Sequence, residues 1–385
     1  MNDRRYIYLD SNATTQPLPE VVEAMLPLLT TQYANPSSIH QFGQSVRHQV
    51  ERARQQVADL IDATPKEIVF TGSGTESINL ALRGVLAAHP QRRQIVSTQV
   101  EHSAVLKVLE DLRAEGYHVD FIGVDREGRI DEAQWEDRLS DQTALATFMH
   151  ANNETGVLFD VPRLAAMAQK HGALVHVDAV QSAGKLPINV ADWPVHLVSL
   201  SAHKFHGPKG VAALYVRRKT RIAPLIVGGG QERQLRGGTE NTAGIVGMGV
   251  AAEIAKRDSA EVSNRVGSLR DAFERFVLST VPSSHVNGRG AARIHNTSNI
   301  AFESLEAEAI LILLSEQGIC ASSGAACSSG SLEPSHVLKA MGIDERIAHG
   351  AVRFSFSRFN TQEEVDHVVS ILPGLLSRLA VLTAG

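Results

Sequence analysis

The stretch VHLVSLSAHKFHGPKG (residues 195–210) begins as an apolar run, Val195–Leu200, and ends in a Gly-Pro-Lys-Gly turn, with Lys204 set between His203 and His206. A solvated lysine gains nothing from the end of a buried strand. A lysine that forms a Schiff base does, because its amine has to be held in place and partly desolvated. The texture around this stretch tells where such a strand belongs. From about residue 66 to 217, short β-rich runs alternate with amphipathic helical stretches. EIVFT (67–71) reads as a strand and ESINLALRGVLAA (76–88) as a helix. QIVST is followed by SAVLKVLEDLRAEG, with apolar residues at Val105, Leu106, Val108, Leu109 and Leu112. Then come YHVDFIGV, TALATFMH, a helix VPRLAAMAQKHG, and the strands ALVHVD, VHLVSL and VAALYV. Alternation on this scale predicts an α/β layer with a mostly parallel sheet. Gly116 and Gly172 stand where helix C-caps belong.

After about residue 255 the texture changes. A polar helix over roughly 258–279 leads to NTSNIAF, EAEAILILLSEQG, AVRFSFSRF and a last helix over about 361–381, which read as a smaller α+β domain. The low-complexity patch ASSGAACSSGS occupies 321–331. The whole chain of 385 residues suits two domains. A formal net charge of -5, with no basic segment, argues against a nucleic-acid binder. No run approaches the roughly 18 apolar residues of a membrane span. The charged start MNDRRYIYLD does not read as a signal peptide. Two cysteines, Cys320 and Cys327, make no disulfide scaffold, and the expectation is a soluble cytoplasmic protein.

Three motifs carry chemistry. TGSGTES (71–77) follows a strand and opens a helix, where backbone N–H groups bind phosphate. It lacks the lysine of a P-loop and the spacing of a dinucleotide fingerprint, and taken alone it fits a plain glycine turn with Thr75 as N-cap equally well. VHVDAVQ (175–181) puts Asp178 at the end of an apolar strand, the edge at which open α/β sheets bind ligands. Taken alone, Asp178 also fits a carboxylate satisfied by a loop backbone. The third is Lys204. Anion loop, strand-end carboxylate and sandwiched lysine together match what pyridoxal phosphate requires: a phosphate site, a partner for the ring nitrogen and a Schiff-base amine.

With these motifs in hand the sequence resembles the pyridoxal phosphate-dependent cysteine desulfurases of the NifS/IscS type, within the class V, fold-type I (aspartate aminotransferase-like) enzymes. The resemblance runs from YLDSNATT (8–15) to the last helix. It rests on NPSSIH (35–40), GSGTES, VEHSAV (100–105), HANNETG (150–156), HVDAVQSAGK (176–185), SAHKFHGPKG, RGGTEN (236–241) and SSGAACSSGSLEPSHVLKAMG (322–342). It implies a large cofactor-binding domain over 14–255, and a small domain from 1–13 and 256–385 that carries the Cys327 loop.

The resemblance also implies roles. Lys204 forms the Schiff base, Asp178 pairs with the ring nitrogen and Gln181 with the ring hydroxyl. Gly74, Thr75, Ser201 and His203 hold the phosphate, and Thr239 reaches the phosphate of a neighbouring subunit in a homodimer. His102 stacks on the ring and helps move protons. Asn153 lies near ring and substrate, and Arg353 binds the substrate carboxylate, a task suited to a guanidinium. Without the resemblance His102 reads as an exposed helix-start residue, the Asn152–Asn153 pair as a turn signal, and Arg353 as a strand residue in a salt bridge.

Cys327 decides the reaction. Ala325, Ala326, Ser328, Ser329 and Gly330 around it make no core and favour an exposed, mobile segment. A thiol on such an arm can visit the site, take a sulfur atom through its thiolate and carry it out. Cys320, after EQGI, reads as a small packed residue. The expected reaction is L-cysteine to L-alanine with a persulfide on Cys327. The implied acceptor is a scaffold protein for iron–sulfur clusters. Two departures stand out. Ser357 replaces a glycine common in relatives, and the chain ends soon after its last helix, which leans toward the NifS type. The alternatives are a selenocysteine lyase or another pyridoxal phosphate enzyme of this fold, a nucleotide binder built on GSGTES, and a metal- or sulfur-handling module using His203, His206 and Cys327. No second cysteine has ligand spacing for the last.

Overall fold

The computed structural model describes residues 6–323 and 334–383. A short strand, β1 (Ile7–Tyr8), precedes two helices, α1 (Pro19–Thr30) and α2 (Gln41–Leu60). The alternating region follows: β2 (Ile68–Thr71), α3 (Gly74–Ala88), β3 (Gln94–Thr98), α4 (Ser103–Ala114), β4 (His118–Ile122), α5 (Glu132–Arg138), β5 (Thr143–Met149), α6 (Val161–Lys170), β6 (Leu174–Asp178), β7 (Leu197–Ser201) and β8 (Ala212–Val216). These strands form one sheet in the order β2-β8-β7-β6-β5-β3-β4. Neighbours from β4 through β7 pair in parallel, and β8 runs antiparallel to both β7 and β2.

The sheet is covered on both faces, as parallel sheets are. Successive residues of a strand point to opposite sides. Val198 and Ala146 accordingly join the core that holds α2 and α6, while Leu197 and Leu145 join the core under α3 and α4. Helix starts carry side-chain caps: Ser73, Asp131 and Asp160 accept from the N–H groups of Glu76, Gln134 and Arg163. The α3 cap corrects the sequence reading. Ser73, not Thr75, is the N-cap, and the helix opens at Gly74, because Ser73 is extended and its hydroxyl reaches the N–H three residues on. Gly116 (φ 88°) and Gly172 (φ 69°) close α4 and α6 in the left-handed region, as expected.

Helix α7 (Thr242–Thr280) runs unbroken for 39 residues through position 255, where the sequence texture changes. Its first half, to Ile254, packs in the large core, and its second half, from Val266, packs in another. That second core gathers β9 (Ser284–Val286), β10 (Thr297–Phe302), α8 (Ala307–Glu316), β11 (Ile319–Cys320), β12 (Ala351–Ser355) and α11 (Gln362–Thr383), while the short α9 (His336–Ala340) and α10 (Glu345–Ala348) pack against the large core. Strands β12, β10 and β9 form an antiparallel sheet, and β1 pairs in parallel with β11. Phe273 of α7 meets Phe354 at a centroid distance of 4.8 Å.

The close approach of α7 to α2 depends on Gly249. A Cβ there would stand 2.6 Å from the Ala53 Cα. Gly374, in α11, has nothing within 4 Å of its Cβ position. The two glycines should therefore respond oppositely to alanine. Gly374→Ala should stabilise by about 0.5–1 kcal/mol through helix propensity. Gly249→Ala should lose about 1–3 kcal/mol through overpacking. Chemical denaturation of both variants reads the pair, and a stabilised Gly249→Ala would contradict the packing described.

Candidate active site

The C-terminal ends of β2, β3, β5, β6 and β7 meet on one edge of the large sheet. There a cavity of about 210 Å³ is lined by Gly74, Thr75, His102, Asn153, Asp178, Gln181, Ser201, His203 and Lys204, among others. Nine of the expected site residues thus come from five separate strand ends to one place, at the edge where such sheets bind ligands.

Lys204 lies in a single helical turn (Ala202–Lys204) directly after β7. Its Nζ donates to the carbonyls of Asn12 (2.5 Å) and Ala13 (2.8 Å). The flanking histidines explain the spacing of the motif. The His203 carbonyl accepts from the Thr15 N–H and hydroxyl, and its Nδ1 lies 3.2 Å from the Thr14 hydroxyl. The His206 N–H donates to the Thr15 hydroxyl, and its Nδ1 lies 2.9 Å from the Gln16 carbonyl. Both histidines clamp the N-terminal segment over the lysine rather than facing a shared ion. Burial, then Lys204, pushes His203 down to about 4, and burial pushes His206 down to about 4.

Asp178 ends β6. Its Oδ1 accepts the Val180 N–H at 2.9 Å, and burial pushes its carboxyl up to about 6. A ring nitrogen carrying a proton is the kind of partner that would return it to the ionised form. His102 is the N-cap of α4. Its Nδ1 accepts the Ala104 N–H, so the neutral ring carries its proton on Nε2. Burial, then Lys204, lowers it to about 4. Gln181 donates from Nε2 to the Asn12 carbonyl at 3.0 Å.

The expected phosphate site has the right form. Gly74 opens α3, and the first N–H groups of a helix have no intrahelical partner. A Cβ on Gly74 would sit 3.2 Å from Val180 Cγ2 and 3.5 Å from Ser201 Cβ, so a side chain there would fill part of the cradle. The residues therefore fit pyridoxal phosphate: Gly74, Thr75, Ser201 and His203 for the phosphate, Asp178 and Gln181 for the ring, Lys204 for the aldehyde carbon.

Three expected residues stand apart. Arg353, on β12, does not line the cavity but adjoins it. It donates to the Asn153 carbonyl (3.0 Å) and to Asp10 (2.8 Å), and its buried Nε has no hydrogen-bond partner among the described residues. Ser357 nearby is outside the left-handed region, so the serine in place of glycine strains nothing. Thr239 is exposed, on a loop away from the cavity. A bidentate pair of Arg54 with Glu232 (2.7 and 2.8 Å), the Phe70 N–H on Glu232 and an Arg236–Glu76 pair (2.9 Å) tie that loop to α2, β2 and α3. Cys327 lies outside the described residues. Cys320 is half-buried on β11, and burial, then Asp10, raises its thiol.

Several residues escaped the sequence reading. Asn12 bonds through its carbonyl to Lys204 and Gln181, through Nδ2 to the Asn153 carbonyl and Thr297, and through its N–H to Ser355. The quoted YLDSNATT motif was the signal that held it. Glu101 is fully buried beside His102 and pushed up to about 8 by burial. Glu154, raised by burial, accepts from the Ser335 hydroxyl, and His336 Nε2 lies 2.9 Å from the Glu101 carbonyl.

Buried imidazoles set the acid behaviour of the fold. His102, His150, His196, His203, His206 and His295 are each lowered to about 4, and His176 to about 3, burial being the largest cause throughout. Between those values and the ordinary 6.5 the unfolded chain binds more protons than the folded one, so stability is lost as pH falls through that window. Asp178, Glu101 and Glu154, all raised, act in the opposite sense but are outnumbered. Denaturant unfolding at a series of pH values should show stability dropping steeply from about 6.5 toward 4, and a flat profile would contradict the buried neutral rings.

The profile of the aminotransferase class-V family matches residues 7–368. Cysteine desulfurase 2 of Trichormus variabilis is 49% identical over 377 residues, 98% of this chain and 94% of the relative. Cysteine desulfurase NifS of Azotobacter vinelandii is 48% identical over 374 residues, 97% of this chain and 93% of the relative. A solved NifS-like protein superposes with a TM-score of 0.92 at 38% identity, covering 97% of this chain and all of that one. This chain belongs to the aminotransferase class-V family of pyridoxal phosphate-dependent enzymes.

Proposed function

We propose that the protein is a pyridoxal phosphate-dependent cysteine desulfurase that converts L-cysteine to L-alanine and takes the sulfur atom as a persulfide on Cys327. The observation that carries this reading is the convergence of Lys204, Asp178, Gln181 and the α3 N-terminus on one cavity, in a chain about half identical to cysteine desulfurases over nearly its whole length.

The cofactor, when bound, supplies the electron sink for charge left at the substrate Cα. The rest falls to the chain. Asp178 keeps the ring nitrogen protonated, and Gly74, Thr75, Ser201 and His203 fix the phosphate. Lys204 Nζ takes the Cα proton. Arg353, braced by Asp10, orients the substrate carboxylate beside Asn153. His102, neutral and carrying its proton on Nε2, manages the thiol proton of the substrate. The Cys327 thiolate then bonds to the substrate sulfur. The carbon–sulfur bond breaks, its electron pair stays with the carbon, that carbon takes a proton, and Lys204 Nζ returns a proton to Cα to give alanine. Atoms balance as cysteine plus enzyme thiol to alanine plus enzyme persulfide.

The same reading covers what surrounds the site. Residues 14–255 form the large domain, and 1–13 with 256–385 the small one; the two cores met along α7 support this division. The protein works as a homodimer in the cytoplasm, and it hands sulfur to a scaffold protein for iron–sulfur clusters. Exposed apolar residues on one stretch support the dimer: Leu29 is 65% exposed, Tyr33 72% and Ile39 95%. Thr239, exposed on its fastened loop, is then free to serve the partner's phosphate. Among the described residues no helix is long and apolar enough to cross a membrane.

The decisive experiment is a visible absorption spectrum with intact-mass detection after labelled L-cysteine. Wild-type protein should be yellow and gain one sulfur on Cys327. Cys327→Ser should stay yellow and change its spectrum with L-cysteine, yet form no persulfide and release no alanine catalytically. Lys204→Ala should lose about a thousandfold or more in turnover. Normal persulfide formation without Cys327, or sulfane sulfur on Cys320, would overturn the mechanism.

Sharing of the site across the dimer has its own test. Mixing Lys204→Ala with Thr239→Ala, once subunits exchange, should recover activity, because one of the two sites then carries neither lesion. No recovery despite proven exchange would count against the shared site.

A further inference from the structure

Lys185 is a cation that no step above uses. It stands four residues after Gln181, in the turns that follow β6, and lines a small cavity that Lys204 also lines. Its Nζ has two acceptors, Gln181 Oε1 at 3.2 Å and Asn12 Oδ1 at 3.5 Å. The Asn12 carbonyl receives both Gln181 Nε2 and Lys204 Nζ. The three side chains and one carbonyl form a closed set at the base of the cavity.

An ammonium group only donates, and the Gln181 amide has one accepting and one donating end. Bonding to Lys185 commits the accepting oxygen, and the NH₂ end gives one hydrogen to the Asn12 carbonyl and keeps a second for a group in the cavity that Gln181 lines. The orientation of this amide follows from its two neighbours, an ammonium that only donates and a carbonyl that only accepts, rather than from a choice between look-alike atoms. We propose that Lys185 is a positioning residue that locks Gln181 as a hydrogen-bond donor to the ring oxygen of the cofactor and, with its own charge, favours the ionised form of that oxygen. This rests on the cofactor reading above.

Both effects have one sign. A donor and a cation near the ring oxygen lower the affinity of the linked oxygen and Lys204 nitrogen for their shared proton. The groups facing Lys185 are mostly cationic or neutral: Lys204 and Arg353 repel it, His203, His206 and His295 are held neutral around it, and Asp258, in the same cavity, is bound to Arg257 and Arg358. Burial, then Lys204 and Arg353, brings the Lys185 amine down to about 7, and an ionised ring oxygen beside it would hold it in the charged form. Among the described residues no carboxylate holds it, and its bonds run to the two amide oxygens of Gln181 and Asn12.

The test is a pH titration of the visible absorption of cofactor-loaded protein, with the dissociation constant of pyridoxal phosphate and the thermal midpoint measured alongside. In Lys185→Met the absorption midpoint should rise by about one pH unit, and cofactor binding should weaken about tenfold, the size of one lost charged hydrogen bond. Lys185→Arg, which keeps donor and charge, should restore most of both. Where Lys185→Met does not fold, Lys185→Gln, which keeps a polar side chain, should still raise the midpoint. A folded variant with a lowered thermal midpoint but wild-type absorption midpoint and binding would make Lys185 merely structural and overturn the inference. Wild-type protein that takes up no pyridoxal phosphate would instead overturn the cofactor reading on which it rests.

Discussion

The amine of Lys204 is held by two backbone carbonyls, those of Asn12 and Ala13, some 190 residues away in the chain. Much else follows from that contact. The N-terminal segment has to lie across the ends of β6 and β7, and the hydroxyls of Thr14 and Thr15 keep it there through His203 and His206. The same segment carries Asp10 to Arg353 and Asn12 to Asn296, Thr297 and Ser355, all in the part of the chain beyond α7. Residues 8–15 are thus the strap that joins the two cores at the site. The lysine position is set by the strap and by β7 together, and neither alone would restrain a four-carbon side chain.

The sheet and the residues at its strand ends were legible because buried parallel strands are continuous apolar runs, and a polar residue that ends such a run stands out. Asp178 after LVHV and Lys204 after LVSLSAH are of this kind. Helices α1 and α2 were not legible in the same way. In α1 Val22, Leu26 and Leu29 are exposed while Val21 and Leu28 are buried, so apolar residues mark both faces and the buried stripe does not stand out. In α2 the buried face relies on Val46, Val50 and Val57 amid a polar sequence. The continuity of α7 was hidden by glycines at 244, 247 and 249, which read as breaks in a helix but serve its close packing.

Asn12 and Glu101 were invisible for another reason. Their bonds run largely to carbonyls, N–H groups and uncharged side chains, so no pairing of opposite charges betrays them. Glu101 accepts from the Met149 N–H and the Thr98 hydroxyl and leaves Oε2 buried without a partner. A carboxyl held up near 8 by burial is neutral at neutral pH, which is how it can lie next to Asp178 without like-charge repulsion.

The described residues on either side of the segment that carries Cys327 are fastened beside the cavity. Ser322 pairs through its backbone with Arg353, while Ser335 donates to Glu154 and His336 reaches the Glu101 carbonyl. Arg353 bonds to the Asn153 carbonyl, Glu154 follows Asn153, and Glu101 precedes His102, and both Asn153 and His102 line the cavity. The sulfur carrier proposed above needs such anchored flanks, because an arm with no anchored end would dilute its own thiol.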